Sequence, residues 1–165
     1  MERKIGRDAV FPLRAFGTSL SEKSMFSVSR EFFFCYGHRL LGHPGKCRHP
    51  HGHNGRVVVT LSMPELNASS MVIDFTDVKK SVGRWIDENL DHRMILAKAD
   101  PLVPLLRSAG EPVFLTEESP TAETLAKLLF DVAVAEKIPV IRVEFWETPG
   151  CRAVYEEKSH RPERN

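Results

Sequence analysis

The stretch from Gly37 to Asn54, GHRLLGHPGKCRHPHGHN, holds five of the chain's seven histidines and one of its three cysteines. Its spacing is that of a metal site: His38, then Cys47, then His51 and His53 on either side of Gly52. In an extended segment residues two apart point the same way, so His51 and His53 aim their rings together and Gly52 avoids crowding them. His38 joins them if Phe26–Phe34 pairs antiparallel with Arg56–Met63. Three neutral imidazoles suit a catalytic zinc with one position left open. His43 and His49 fall outside this geometry and read as surface histidines. A competing reading closes the site as a structural zinc with Cys47 as fourth ligand, in a non-catalytic interaction module. Its Cys-x3-His-x-His spacing matches no common finger.

Further residues can act on a ligand beside such a metal. Cys47 lies between Lys46 and Arg48, whose charges favour a thiolate. Cys35 and Cys151 stand next to aromatic and strand residues and read as small hydrophobes. Asp91 precedes His92, and an adjacent carboxylate can fix an imidazole's tautomer and raise its basicity. Glu147 follows Trp146 at a strand end. There it either accepts two parallel hydrogen bonds from an amino-pyrimidinone edge or faces solvent as a turn acid. Glu123 reads as a helix-dipole acid.

The elements that must place these residues follow from periodicity. Phe26 to Phe34 and Arg56 to Met63 read as strands flanking the histidine loop, and a turn through Pro64 to Ser70 leads into Met71 to Phe75. From Thr76, taken as the cap, Val78, Val82, Trp85, Ile86 and Leu90 recur at helical steps. A short helix follows Pro101, and Val113 to Thr116 reads as a short strand. Ser119, as a cap candidate before Pro120, opens a helix whose apolar face is Leu125, Leu128, Leu129, Val132 and Ala133. Val140 to Trp146 alternates and turns through Pro149-Gly150 into Cys151 to Tyr155, a hairpin. The order predicts an α+β fold: a four-stranded antiparallel sheet with helices on one face.

At 165 residues, 42% of them hydrophobic and 27% charged, the chain has the makings of one globular domain. We expect a loosely ordered arm over 1–24, a single catalytic domain over 25–157 and a charged tail over 158–165. A formal charge of +1 gives no global pull toward nucleic acid or anionic membranes. Three cysteines are too few and too odd for a disulfide framework. No run has the length of a membrane span and no signal-peptide pattern opens the chain, so the expected location is cytoplasmic.

The motifs occur in a telling order: GHRL at His38, CRHPHGHN at Cys47, IDF at Ile73, LDH at Leu90, PTAETLA at Pro120 and ET at Glu147. This order resembles the 6-pyruvoyl-tetrahydropterin synthase and 6-carboxy-tetrahydropterin synthase family, over about residues 26 to 156. The resemblance implies the tunnelling fold and homo-oligomers, typically hexamers of two trimers, with active sites at subunit interfaces. It implies that His38, His51 and His53 hold zinc and that Cys47 is the general acid or base. Asp91 and His92 are its implied partners, and Glu147 the anchor for the pterin ring. The implied substrate is 7,8-dihydroneopterin triphosphate, whose phosphates Lys46, Arg48 and Arg39 can attract. A cysteine four residues before the His-Gly-His pair resembles the carboxy branch of queuosine biosynthesis. The pyruvoyl enzyme is the alternative. Tyr36-Gly37 stands where the family commonly has two small residues, and the segment after His92 is longer than in compact members.

Overall fold

Apolar residues alternating with polar ones over 26–38 and 51–63 build the two longest strands, β1 (Phe26–His38) and β2 (His51–Met63). They pair antiparallel without interruption, from Phe26 opposite Met63 to His38 opposite His51. The computed structural model describes residues 24–157, so the expected arm (1–24, bar Ser24) and the tail (158–165) lie outside the described residues. After β2, α1 (Phe75–Val78) runs through a π turn (Lys79–Gly83) into α2 (Arg84–Asn89). Then follow β3 (Arg93–Ala97), α3 (Leu102–Ser108), β4 (Val113–Thr116), α4 (Ala122–Ala135), β5 (Val140–Thr148) and β6 (Cys151–Glu156).

The sheet has six strands in the order β4-β3-β1-β2-β5-β6. The expected four-stranded antiparallel sheet is corrected to a mixed one, because β3 runs parallel to the end of β1 and β4 parallel to β3. The α+β class holds. Arg93–Ala97 is five residues long and buries Ile95, Leu96 and Ala97 in succession. Without alternation, nothing in its pattern separates such a run from a buried helical piece.

Phe34, Val57, Val59, Leu61, Val143 and Phe145 form one face of the sheet and pack against Val78, Val82, Ile86, Leu125 and Leu129 of the helical layer. A Cβ at Gly83 would lie 2.8 Å from Phe32, so glycine there lets the π turn settle against β1. The opposite face carries cross-strand ion pairs, Arg56 with Glu31, Arg142 with Glu156 and Arg152 with Glu144. No helix among the described residues is long and apolar enough to cross a membrane.

The turn expected through Pro64 to Ser70 is built on the Asn67 side chain, which accepts the N–H groups of Ser69 and Met71. Two helix caps are corrected. Asp74, not Thr76, caps α1, its Oδ1 accepting the Thr76 N–H at 2.7 Å. Thr121, not Ser119, caps α4 by accepting the Thr124 N–H. In addition, β2 begins at His51 rather than Arg56, which places both paired histidines on a strand.

A three-histidine cluster and the candidate active site

The β1–β2 register decides which side chains meet. His38 stands opposite His51 and Tyr36 opposite His53. All four belong to the sheet face that continues from Phe34 and Val57. One nitrogen from each of His38, His51 and His53 lies within 4.8 Å of the other two. Backbone carbonyls fix two of the rings. His38 Nδ1 donates to Pro120 O and His51 Nδ1 to His49 O, each at 2.8 Å. A carbonyl only accepts, so in the neutral rings the proton sits on Nδ1 and Nε2 is a bare lone pair. Burial, outweighing the Pro120 carbonyl and Glu147, pushes the His38 imidazole below its ordinary range and keeps it neutral.

The two bare nitrogens face each other at 3.1 Å, and His53 Nε2 is buried with no partner. Facing lone pairs repel, and an orphaned buried nitrogen is costly. A cation among the three relieves both, and a set of imidazoles fits a divalent metal ion. Among the described residues neither Cys47 nor a carboxylate joins this cluster. The arrangement therefore leaves room for an exogenous ligand.

A cavity of ≈350 Å³ adjoins the cluster, walled by His38, Cys47, His51, Glu123, Glu147 and Cys151 among others. Cys47 sits in a 3-10 turn (Lys46–Arg48), and its carbonyl accepts the Leu40 N–H at 2.8 Å. Glu147, at the end of β5, also borders a second cavity of ≈680 Å³ with Phe33, His53, Arg56 and Trp146. The fold thus brings His38, Cys47, His51 and Glu147 to one space.

It does not bring Asp91 and His92 there. His92 borders a separate depression with Cys35, Tyr36, Gly37, Arg93 and Met94. Its Nδ1 donates to Asp91 Oδ2 at 2.8 Å, and Asp91 Oδ1 accepts the Cys35 N–H at 2.9 Å. Burial pushes the Asp91 carboxyl up, but these hydrogen bonds prevail and hold it below its ordinary value. The His92 side chain is 78% exposed, and its backbone is left-handed at φ 55°. The geometry is that of an oriented, outward-facing carboxylate–imidazole pair.

Sequence reasoning missed Tyr36 and the Pro120 carbonyl, whose only signal was position next to recognised motifs. Cys151, read as a small hydrophobe, is exposed at the wall of the Cys47 cavity. Arg39 is engaged by a carboxylate. It makes a two-pronged pair with the buried Asp100, Nε to Oδ2 at 2.7 Å and Nη2 to Oδ1.

That pair ties the residue after His38 to the start of α3. The Arg39 guanidinium holds the Asp100 carboxyl below its usual range despite burial. Since the folded value lies below the unfolded one, the contribution is present above about pH 4 and is lost as pH falls through the folded value. We expect Asp100→Asn to destabilise by about 3 kcal/mol at pH 7 in urea unfolding and to flatten the acid limb of stability. An unchanged midpoint would mean that the pair holds nothing.

A sequence profile described as 6-pyruvoyl tetrahydropterin synthase matches residues 27–158. The chain belongs to this family of pterin synthases, as the ordered motifs implied. Several relatives carry a narrower name. Proteins named 6-carboxy-5,6,7,8-tetrahydropterin synthase include one from Rickettsia bellii (strain RML369-C), 31% identical over 134 residues, covering 77% of this chain and 97% of that protein. Another, from Haemophilus influenzae, is 32% identical over 141 residues, covering 81% of this chain and all of that protein. Among solved structures, an uncharacterized protein from Wolinella succinogenes superposes with a TM-score of 0.68 at 29% identity, covering 82% of this chain and 99% of that one. The Caenorhabditis elegans 6-pyruvoyl tetrahydropterin synthase, at 24% identity and a TM-score of 0.62, covers 82% of this chain and 97% of its own and shares the fold.

Proposed function

We propose that the chain is a zinc-dependent 6-carboxy-5,6,7,8-tetrahydropterin synthase. It converts 7,8-dihydroneopterin triphosphate to 6-carboxytetrahydropterin, releasing acetaldehyde and triphosphate, in queuosine-type deazapurine biosynthesis. The observation that carries this reading is the convergence of three imidazoles, with no fourth protein ligand among the described residues, two of which, His38 and His51, wall a cavity that also holds Cys47 and Glu147. The names of the relatives and the four-residue lead of Cys47 on His51 support the carboxy branch.

A zinc ion held by His38, His51 and His53 supplies Lewis acidity toward the hydroxyls of the substrate side chain. Glu147 accepts the paired N–H groups of the pterin's amino-pyrimidinone edge and fixes the ring. Cys47 takes a proton from the side-chain carbon presented to it. His92, oriented by Asp91, is the second acid/base group. Because His92 opens onto a different surface from Cys47, it serves the cavity of a neighbouring copy, as in a homo-oligomer with sites between subunits. Lys46 and Arg48, both exposed, remain for the triphosphate.

The decisive experiment is incubation of zinc-loaded protein with 7,8-dihydroneopterin triphosphate and mass spectrometry of the products. Acetaldehyde with a carboxylated pterin is expected. A pterin bearing a diketo side chain would instead make the protein the pyruvoyl enzyme, and unchanged substrate would end both readings.

A further inference from the structure

Tyr36 has no part in the chemistry above, yet it is 4% exposed at the centre of the site. Its ring is held by Phe34, Phe145, His38 and His53, with centroid separations of 5.4, 5.8, 5.2 and 5.7 Å. A ring boxed on four sides has little rotamer freedom, so its hydroxyl is aimed rather than free to search. That hydroxyl donates to Glu147 Oε1 across 3.5 Å, a long contact and the one side-chain hydrogen bond that Glu147 makes among the described residues.

The same Oε1 lies 3.8 Å from His38 Nε2. Zinc binds imidazole nitrogen and carboxylate oxygen at about 2.0–2.2 Å each, so two atoms this far apart can share one ion. His38 Nε2, with its ring proton on Nδ1, offers Glu147 no hydrogen bond to hold it away. Glu147 therefore has two competing destinations, the ligand's N–H edge and the metal.

We propose that Tyr36 is a positioning residue that tethers Glu147 to the substrate side of the site and so keeps the fourth metal position open. The proposal rests on the zinc-dependent reading above. Without the tether the carboxylate turns toward the imidazoles and completes a His3Glu shell. The metal is then held more tightly and the pterin ring loses its acceptor. Outer partners of this kind change metal affinity or activity by about 10–100-fold.

The test uses Tyr36→Phe, which keeps the ring and its packing and removes only the hydroxyl. Co(II)-loaded Tyr36→Phe should show a visible absorption spectrum shifted from wild type, and Zn(II) should bind about tenfold or more tighter by chelator competition. The KM for the pterin triphosphate should rise by a similar factor. Glu147→Gln alone should leave Zn(II) affinity at the wild-type level, and Glu147→Gln in the Tyr36→Phe background should return both spectrum and affinity to it. Unchanged spectrum and affinity in Tyr36→Phe, or a change that survives Glu147→Gln, overturns the proposal. Should wild type fail to turn over any pterin, the catalytic reading falls, while the spectrum and affinity still decide whether Tyr36 governs Glu147.

Discussion

On the proposed reading, His53→Ala should leave a folded protein that no longer retains a stoichiometric metal ion and should turn over 7,8-dihydroneopterin triphosphate at least ~10³-fold more slowly. The factor corresponds to the several kcal/mol that a Lewis acid contributes to a developing charge. His53 is the informative ligand because its Nε2 is buried and makes no hydrogen bond to the protein. Truncation removes a buried nitrogen that satisfies nothing but also the ring's packing against Tyr36, His38 and His51, so the metal-free fold should lose about 1–3 kcal/mol. Loss of a purely structural histidine would instead lower stability equally with and without metal and leave the gain on loading intact. Thermal melts with and without zinc, together with elemental analysis, separate the two. Wild type should gain stability on loading, and His53→Ala should gain nothing. Full metal occupancy with normal turnover in His53→Ala would remove the cluster from the mechanism. Removing the ion from wild type by chelation should likewise stop turnover while far-ultraviolet dichroism stays close to that of loaded protein. Collapse of that signal would favour a structural zinc.

Mixing two inactive variants gives the second large effect. Cys47→Ala and His92→Ala should each lower kcat by about 10²–10⁴-fold, the range for loss of a general acid or base. Cys47 walls a cavity with His38 and His51, and His92 opens onto a separate depression beside Cys35 and Met94. If two copies complete each site, hetero-oligomers formed by co-expression contain some sites with both groups intact. Activity then reappears at a substantial fraction of wild type. A site completed within one chain cannot be rescued in this way. Mixtures as inactive as their components would return Cys47 and His92 to a single subunit or remove one of them from the chemistry.

The residues that can do chemistry were legible because their spacing is itself geometry. A His-x-His pair on extended chain must point one way, and the antiparallel pairing of the flanking strands then places His38 opposite His51. Strands made of alternating residues, β1, β2, β5 and β6, were readable for the same reason. β3 was not, since a parallel strand buried on both faces has no alternation and its partner lies across a long sequence gap. The Pro120 carbonyl that orients His38 was invisible because every residue has a carbonyl, and only the fold says which one ends up beside a ring. Tyr36 was noticed only as a bulky residue where small ones are usual. Its role depends on Phe34, Phe145, His38 and His53 closing around it, and these come from three different strands.

The hairpin register that brings His38 opposite His51 has one more consequence. The two residues are the last pair of the β1–β2 ladder, and the segment between them carries Cys47. An ion bound to both rings closes that segment into a ring, as a cross-link would, and reduces the conformations open to it. Occupancy of the metal and placement of the thiol are then linked variables. On the proposed reading, metal-free protein would lack more than a Lewis acid, because the loop that carries the Cys47 thiol would also have lost its clasp. Amide exchange across residues 39–50 should slow on loading, and the gain in protection measures how much of the thiol's positioning the ion supplies.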